Sequence, residues 1–499
     1  MVDRAAVVAA VGRLDRGAMA GARWFGAKGR VIERAELEEA FLLDERGPHV
    51  LAIATLTLDD GSRPRYQVAL TGELLLEAQP GDGAWRALAV AMAEGRIIPA
   101  MPPATDEPTT DDPTAKPGRR QRAGSPTRPG PVTAALVCRP GPALRDLFPG
   151  ATDVGTAAER DLDADQSNTS VVLAERMLLK AYRNLQPGLN PDLELTAFLS
   201  EDADFKAVPR VAGFAELVSM ATGTTTVAMA QEFIADGEDA FESTAESLAA
   251  WLLAPGEVSL EFATEIAADV GTLTAGLHAA LADGRGVPDM APREATRAEV
   301  RAWAAGAREH LDAALEATSG EAAGAIRDLA PGIAEALTVL DALPNTPEVI
   351  RAHGDYHLGQ VLIAPDGFRI VDFEGEPAAS MKARRTPRPA LRDVASMLRS
   401  LDHVARSAGR RAESRNDGPL ERPGLDLPGW IRRARERFLE AYRTGLREER
   451  IWIDLDPDLL RAFEIDKELA EFVYAATYLP TWLYAPTEGL RGLFEDAVS

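Results

Sequence analysis

The stretch that decides the fold begins with His353-Gly354-Asp355-Tyr356-His357-Leu358-Gly359-Gln360 and ends with Asp372-Phe373-Glu374-Gly375. Between these segments, apolar runs at 361–363 and 368–371 flank a turn sequence that contains Asp366-Gly367. An Asp-Gly pair between two apolar runs is a strong signal for a β-hairpin. The pattern therefore predicts two short antiparallel strands joined by a tight turn.

A hairpin at this place returns the chain, so we expect Asp372 to lie near Asp355 and Gln360. Phosphoryl transfer from a nucleotide needs such a set of side chains. One carboxylate orients the attacking hydroxyl and accepts its proton, and a second carboxylate with an amide oxygen holds Mg²⁺ on the phosphates. Each residue taken alone has the alternative interpretation of a turn or cap residue. The ordered set favours phosphoryl transfer.

Length and composition exclude several classes of protein. The chain has 499 residues, 46% of them hydrophobic, and 54 Lys and Arg against 78 Asp and Glu give a net charge of −24. This length suggests roughly two to four domains. Nucleic acid and anionic membranes bind to clustered Lys and Arg, which an acidic surface does not offer. We therefore expect neither as a partner, whereas a small phosphate ligand needs only a locally positive site.

The single cysteine, Cys138, excludes a disulfide scaffold and fits a reducing cytosol. No apolar run approaches the roughly 20 residues of a membrane-spanning helix, and the start of the chain lacks an export signal. We expect a cytoplasmic protein.

Strand-like segments precede a mostly helical remainder. An amphipathic helix with Val7, Val8, Val11 and Leu14 on one face comes first, and residues 192–199 form a second predicted helix. Beyond residue 235 the chain is helical apart from the β-rich segment at 349–374. The order predicts a strand-rich lobe followed by a helical lobe. The predicted strands are 41–43, 50–54, 66–70, 170–173, 177–182 and 225–234.

Two segments contain few apolar residues. Residues 102–131 consist mainly of Pro, Thr, Asp, Gly and Arg, and residues 407–428 are rich in Arg, Gly and Asp. Such segments cannot offset the entropy of ordering by burial. We expect the first to be a disordered insertion and the second to be a mobile loop between helices.

The central motif resembles a known pattern. The order His-x-Asp, an amide five residues after the Asp, a strand turn and Asp-Phe-x-Gly is similar to protein-kinase-like enzymes, specifically the aminoglycoside phosphotransferase branch. The resemblance implies that Asp355 is the catalytic base and that Gln360 and Asp372 bind Mg²⁺, with ATP as the phosphoryl donor. The chain departs from the pattern at Gln360, where most such enzymes have Asn.

The same resemblance implies a nucleotide site upstream. Lys180, at the end of an apolar strand, would hold the α- and β-phosphates, and Glu194 on the following helix would pair with it. Gln231 and Phe233 would belong to the linker whose backbone meets the adenine, the alternative being an ordinary edge strand. The loop over the phosphates would consist of Gln166, Ser167, Asn168, Thr169 and Ser170.

Further segments narrow the resemblance to bacterial maltokinases, most of which make maltose 1-phosphate from ATP. The resemblance rests on Arg23-Trp24-Phe25-Gly26-Ala27-Lys28, on 187–192 and on 392–400, together with the motifs above. It implies an α+β, bilobal, protein-kinase-like fold with an N-terminal mixed α/β cap domain. The implied domains are the cap at 1–134 with its insertion at about 102–131, a nucleotide-binding N-lobe at 135–234, and a helical C-lobe at 235–499 with the catalytic loop and the sugar site.

The segment at 474–486, by contrast, is similar to the actinobacterial glucosamine kinases, which phosphorylate the 6-hydroxyl of an amino sugar. Its aromatic side chains would stack on one sugar ring and shorten a pocket that otherwise holds two. Carboxylates of Asp402 and Glu471 would suit a substrate ammonium, the alternative being that both are solvated helix residues. The full set of candidate sugar-site residues is His357, Trp303, Asp402, Glu471, Tyr478 and Trp482.

The leading hypothesis is an ATP- and Mg²⁺-dependent kinase that makes glucosamine 6-phosphate. The alternatives are a maltokinase, an aminoglycoside phosphotransferase, and a catalytically silent kinase-like module that binds a partner through its cap. We expect a small-molecule sugar as the partner, with an amino sugar favoured, and a monomer or weak homo-oligomer.

Overall fold

The computed structural model describes residues 2–44, 47–102, 134–162, 168–254, 259–376, 379–416 and 427–495. The chain forms two compact units. The first consists of Met1–Glu194 and Arg210–Ala235, and the second of Leu195–Pro209 and Asp236–Ser499. Strands dominate the first unit and helices the second, which confirms the expected α+β class. The three predicted domain ranges stay predictions.

The first unit contains two antiparallel sheets. One has the strand order β1-β2-β3-β10, with β4 paired to β3, and the other has the order β5-β6-β11-β12-β9-β8-β7. The strands are β1 (Ile32–Asp44), β2 (His49–Leu58), β3 (Arg65–Thr71), β4 (Leu76–Glu77), β5 (Ile97–Pro99), β6 (Ala134–Pro140), β7 (Glu159–Asp161), β8 (Thr169–Leu173), β9 (Met177–Ala181), β10 (Asn184–Leu185), β11 (Val211–Ser219) and β12 (Gly223–Glu232).

Six helices begin in this unit, and the first of them packs on the β1–β2–β3 sheet. Val7 and Val11 are buried against Ala40, Val50 and Val68, as the amphipathic pattern predicts. The pattern also predicts Val8 on the buried face, but Val8 is 45% exposed. It lies beside the apolar stripe formed by Val7 and Val11 rather than in it. The helices are α1 (Arg4–Gly12), α2 (Arg16–Gly21), α3 (Ala84–Ala93), α4 (Leu144–Leu147), α5 (Ala151–Gly155) and α6 (Pro191–Ala197).

Strand β1 starts well before the predicted run at 41–43. Its first half is rich in Glu, yet it pairs with β2 from Ile32 opposite Leu58 onward. Glu38 in this half accepts two hydrogen bonds from Arg65, both at 2.7 Å. The charged residues of one face are thus satisfied by ion pairs, so the strand does not need the apolar alternation that sequence patterns detect.

The predicted hairpin at 170–182 is confirmed, because β8 pairs with β9 with Val171 opposite Leu179. The predicted helix at 192–199 is confirmed as α6, which continues into a π-helical turn at Phe198–Asp202.

Helices form most of the second unit. They are α7 (Ala240–Leu253), α8 (Leu260–Ala263), α9 (Glu265–Asp283), α10 (Arg297–Ala317), α11 (Gly320–Leu337), α12 (Val339–Ala342), α13 (Met381–Arg384), α14 (Leu391–Arg415), α15 (Leu427–Glu448), α16 (Pro457–Tyr478) and α17 (Tyr484–Glu495). Short strands complete the unit: β13 (Glu238–Asp239), β14 (Arg293–Glu294), β15 (Glu348–Val349), β16 (Val361–Ala364) and β17 (Gly367–Ile370).

The hairpin that decides the fold is confirmed. Strand β16 pairs with β17 in antiparallel register, with Val361 opposite Ile370 and Ala364 opposite Gly367. Strand β13 adds to the other edge of β16. The backbone N–H of Val371 then donates to the carbonyl of Gln360 at 2.9 Å, so the two ends of the hairpin meet.

Helices α9 and α15 approach each other closely. A Cβ atom on Gly271 would lie 2.4 Å from the carbonyl oxygen of Phe438, and one on Gly445 would lie 2.6 Å from Cβ of Ala275. Both positions therefore need glycine.

The predicted loop at 407–428 is wrong in its first part, because α14 continues to Arg415. Ala405, Ala408 and Ala412 are fully buried at helical spacing, and they anchor this polar helix to the core. Leu427 begins the next helix. Residues 417–426 and nearly all of the predicted insertion at 102–131 lie outside the described residues. No helix in the described ranges combines the length and apolar character needed to cross a membrane.

Candidate active site

The catalytic loop at 353–357 follows β15 and leads into a 3₁₀ turn at Leu358–Gln360. Gly354 has a φ of 90°, and a Cβ there would lie 3.3 Å from Cα of Gly375. Glycine thus supplies both the left-handed backbone and the close approach. The loop and the segment after β17 are brought together at this contact.

Asp393 on α14 holds this loop in place. Its carboxylate accepts the backbone N–H groups of His353 at 2.8 Å and Gly354 at 3.0 Å. His278 Nε2 lies 3.4 Å from the same carboxylate, and His278 Nδ1 lies 2.7 Å from the hydroxyl of Tyr442. Burial raises the pKa of Asp393, but His278, His353 and the Gly354 N–H outweigh it and hold the pKa below its usual range. The loop therefore rests on an ionised buried carboxylate.

Replacement of Asp393 by alanine should lower the free energy of unfolding by about 3–5 kcal/mol, because it leaves two backbone donors without an acceptor in the interior. Chemical denaturation followed by circular dichroism measures this loss. Glu413→Ala, which removes an exposed carboxylate of the same helix, is the control and should change stability little. An equal loss in both variants would contradict the assignment.

Asp355, the predicted catalytic base, points to a lysine that the sequence analysis did not identify. Lys467 Nζ on α16 donates to Asp355 Oδ1 at 3.1 Å, and His357 Nε2 lies 4.0 Å from Asp355 Oδ2. Burial raises the pKa of Asp355, but the charges of Lys467 and His357 and the Lys467 hydrogen bond hold it below its usual range. The carboxylate is therefore ionised and able to accept a proton.

Lys467 also binds Glu471, one helical turn further along α16, at 2.9 Å. The three side chains are similarly accessible, each about one fifth exposed. Burial lowers the pKa of Lys467, but Asp355 and Glu471 raise it well above its usual value. Burial raises the pKa of Glu471, whereas Lys467 and His403 bring it below the usual range. Two carboxylates thus share one ammonium in the row formed by Asp355, Lys467 and Glu471.

Replacement of Lys467 by methionine should raise the pKa of Asp355, because burial then acts without its largest opposing charge. The native pKa is depressed, so Asp355 is ionised throughout the neutral range, and protonation limits the rate only in acid. In the variant, the acidic limb of the kcat/KM profile should move to higher pH by about 1–3 units. Lys206→Met, at an 80% exposed lysine, is the control. An unmoved limb would contradict the role of Lys467.

The predicted metal ligands lie side by side. Gln360 Nε2 is 3.4 Å from Asp372 Oδ2 and 3.4 Å from His357 Nε2, so the longer glutamine side chain still reaches Asp372. A half-turn of the amide would replace its nitrogen by its oxygen. Amide and carboxylate oxygens suit Mg²⁺, so this donor set fits the predicted ion. Asp372 has a φ of 68°, a strained backbone that directs its side chain at a candidate site.

Two further sugar-site candidates, Asp402 and Trp303, are engaged by arginine side chains. Asp402 is 3% exposed, accepts hydrogen bonds from Arg406 and lies 3.7 Å from Arg399, so two guanidinium groups engage it. Trp303 packs edge-on against Phe463, with Arg392 over both rings. Their binding roles stay predictions.

The aromatic candidates on the C-terminal segment differ in exposure. Tyr478 is 47% exposed, and its ring lies 5.1 Å from that of Tyr474. Trp482 is partly buried between Phe241, His403 and Tyr484, at ring distances of 5.9, 6.2 and 5.4 Å. The Tyr474–Tyr478 pair is therefore the more accessible stacking surface.

In the first unit, Lys180 lies on β9 and is 5% exposed. Its ammonium donates to Asp192 Oδ2 at 3.0 Å, and the hydroxyl of Tyr182 donates to the same oxygen at 3.3 Å. Asp192 stands in the first turn of α6, two residues before Glu194, the predicted partner, which is also buried. The phosphate-binding role of Lys180 stays a prediction. Asp192 ends the segment 187–192, but no local sequence pattern indicates its ion pair with Lys180.

The other nucleotide candidates fall on the same sheet. Thr169 and Ser170 pair opposite Ala181 and Lys180, and Asn168 comes immediately before them. Gln166 and Ser167 lie outside the described residues. Gln231 on β12 pairs opposite Leu178 on β9. The Phe233 N–H donates to the Arg176 carbonyl at 2.8 Å. Strand β12 lies between β11 and β9, so the alternative of an edge strand is wrong.

Two family models match the chain. The phosphotransferase enzyme family matches residues 160–427, and the maltokinase N-terminal cap domain matches residues 19–96. A glucosamine kinase of Streptacidiphilus jiangxiensis is 33% identical over 453 residues, covering 88% of this chain and 96% of the relative. A glucosamine kinase of Mycolicibacterium smegmatis is 30% identical, covering 68% and 81% respectively.

Solved structures agree with these relatives. A glucosamine kinase in complex with glucosamine, ADP and inorganic phosphate has a TM-score of 0.67 at 27% identity, covering 97% of this chain and 98% of that one. A glucosamine kinase in crystal form B has a TM-score of 0.70 at 26% identity, with coverages of 98% and 99%. The expected fold is thereby confirmed: the chain belongs to the phosphotransferase enzyme family and carries a maltokinase N-terminal cap domain.

Proposed function

We propose that the chain is an ATP- and Mg²⁺-dependent sugar kinase that transfers the γ-phosphoryl group of ATP to the 6-hydroxyl of glucosamine. The observation that carries the proposal is geometric: His357 lies 4.0 Å from Asp355 and 3.4 Å from Gln360, and Gln360 lies 3.4 Å from Asp372. The similarity over nearly the whole chain to glucosamine kinases supports the choice of sugar.

In this proposal Asp355 orients the sugar hydroxyl and takes its proton as the oxygen attacks the γ-phosphorus. The new O–P bond forms, the bond to the bridging oxygen breaks, and ADP leaves. Lys180 holds the phosphates of the nucleotide. Gln360 and Asp372 would hold Mg²⁺, which neutralises the charge that develops on the transferred group. Asp393 positions the loop so that Asp355 stays in place.

The charge of the Asp355–Lys467–Glu471 row supports an amino sugar. The row has two carboxylates for one ammonium, so Glu471 keeps acceptor capacity for a cationic group and exposes about one fifth of its side chain to a ligand. The exposed Tyr474–Tyr478 pair offers aromatic faces to the apolar side of one sugar ring. We infer that Glu471 meets the substrate ammonium and that the tyrosines flank the ring.

ADP release measured with several sugars in parallel tests the proposal. Glucosamine should give the highest kcat/KM, and the product should carry phosphate on the 6-hydroxyl by NMR. N-acetylglucosamine is the matched control, since it keeps the ring and loses the charge, and its kcat/KM should be at least about 10²-fold lower. Absence of sugar-dependent turnover with glucosamine, maltose, glucose and an aminoglycoside would overturn the kinase proposal.

A maltokinase is the second candidate, because the cap at residues 19–96 matches the maltokinase cap model. Turnover of maltose with none of glucosamine would establish it instead. Turnover of the aminoglycoside alone would favour antibiotic modification. The monomeric or weakly oligomeric state and the cytoplasmic location stay predictions.

A further inference from the structure

A basic cavity of about 400 Å³ lies in the second unit between the C-terminal half of α14 and the start of α17. None of its six lining residues is acidic, and only Tyr484, in the segment 474–486, belongs to a segment with a predicted part in sugar binding. The lining residues are Ser407, Arg410, Arg411, Ser414, Arg415 and Tyr484.

The sequence of α14 builds this cavity. Positions 407, 410, 411, 414 and 415 follow the spacing of three and four residues that places side chains on one face of a helix. Three guanidinium groups and two hydroxyl groups therefore project from the same face. The chain as a whole has a net charge of −24, whereas this face carries three arginines, two of them paired with glutamates.

The arginines are held in distinct ways. The Arg410 guanidinium lies 3.7 Å from the ring centre of Tyr484, which fixes its plane against the wall of the cavity. Arg411 donates to Glu242 at 2.8 and 3.0 Å, and Arg415 donates to Glu246 at 2.6 Å. In the described part of the chain no carboxylate is bonded to Arg410, so its donors are available to a ligand.

The two glutamates are weak competitors for an incoming anion. Their side chains on α7 are 62% and 56% exposed, and ion pairs at such exposure contribute little to stability. The guanidinium fork matches phosphate oxygens in pairs, so a dianionic phosphate can bind Arg410 and displace Glu242 from Arg411. The exposed Ser414 hydroxyl lies on the same wall as a further donor, whereas the buried Ser407 hydroxyl is bonded to Tyr484.

We propose that this cavity, defined by Ser407, Arg410, Arg411, Ser414, Arg415 and Tyr484, is a binding site for a dianionic phosphate group. The ligand is either free inorganic phosphate or a phosphomonoester of a small molecule. None of the lining residues belongs to the proposed catalytic, metal-binding or nucleotide-binding sets, and the existence of the site does not depend on which sugar the enzyme phosphorylates.

Isothermal titration of the full chain with inorganic phosphate tests the proposal, in a buffer whose ionic strength is kept constant with chloride. The variants are Arg410→Gln and the double variant Arg410→Gln/Arg411→Gln. Arg433→Gln is the matched control, because Arg433 is also paired to exposed glutamates but lies on α15. We expect the double variant to lose at least about tenfold in affinity, the single variant to lose less, and the control to bind as the native chain does.

A second titration with glycerol 3-phosphate, a phosphomonoester that is not the product of the proposed reaction, distinguishes the two sources of phosphate. Tighter binding of this phosphomonoester that is lost in the double variant identifies a phosphomonoester site, and equal binding identifies a site for the ion itself. Phosphate affinity that is unchanged in the double variant, or phosphate binding that is absent from the native chain, overturns the proposal. Circular dichroism confirms that each variant is folded. Because binding alone is scored, failure of the kinase assay leaves this result unaffected.

Discussion

Replacement of Asp355 by asparagine should lower kcat for sugar-dependent ATP turnover by about 10³-fold, within the range that a general base contributes to catalysis. Asparagine keeps the size of the side chain but cannot accept a proton at neutral pH. It also removes the negative partner of Lys467, which still has Glu471 at 2.9 Å. We therefore expect the fold to persist and KM for ATP to change little, while the chemical step is lost.

The control for this experiment is Asp366→Asn in the turn of the same hairpin. Asp366 is 71% exposed and pairs with Arg369 at 2.6 Å, away from the row that Lys467 organises. Its kcat should remain within about twofold of the native value, since exposed ion pairs contribute little. If Asp355→Asn retained most of the native kcat, another group would have to be the base.

The parts of the fold that sequence predicted are those fixed by short-range patterns. The β16–β17 hairpin follows from one Asp-Gly turn between apolar runs, and the β8–β9 hairpin follows from two apolar strands close in sequence. Short-range patterns did not predict the full length of the more polar elements. The first half of β1 is satisfied by ion pairs, and the end of α14 is anchored by small alanines among arginines and serines.

In the candidate site, too, residues close in sequence were predicted and residues far apart in sequence were not. Asp355, His357, Gln360 and Asp372 come from one motif, and the structure brings them together. Lys467 lies 112 residues from Asp355 in sequence, and Asp393 lies 40 residues from His353. No local pattern relates residues so far apart. The available signal for Lys467 was its spacing of four from Glu471, which is common on solvated helices and therefore carried little information.

Replacement of Asp372 by asparagine should lower kcat by about 10²–10³-fold and raise the Mg²⁺ concentration needed for half-maximal rate, because the negative charge at the proposed metal site is lost. This loss corresponds to about 3–4 kcal/mol of transition-state stabilisation, in the range of Lewis-acid contributions. Asparagine tolerates the left-handed backbone that Asp372 adopts at a φ of 68°, so the variant tests charge rather than strain.

Asp236→Asn is the matched control, since that exposed aspartate has a φ of 58°. An unchanged Mg²⁺ requirement in Asp372→Asn would contradict the assignment even if kcat fell, because a distorted loop lowers the rate without altering the affinity for the ion.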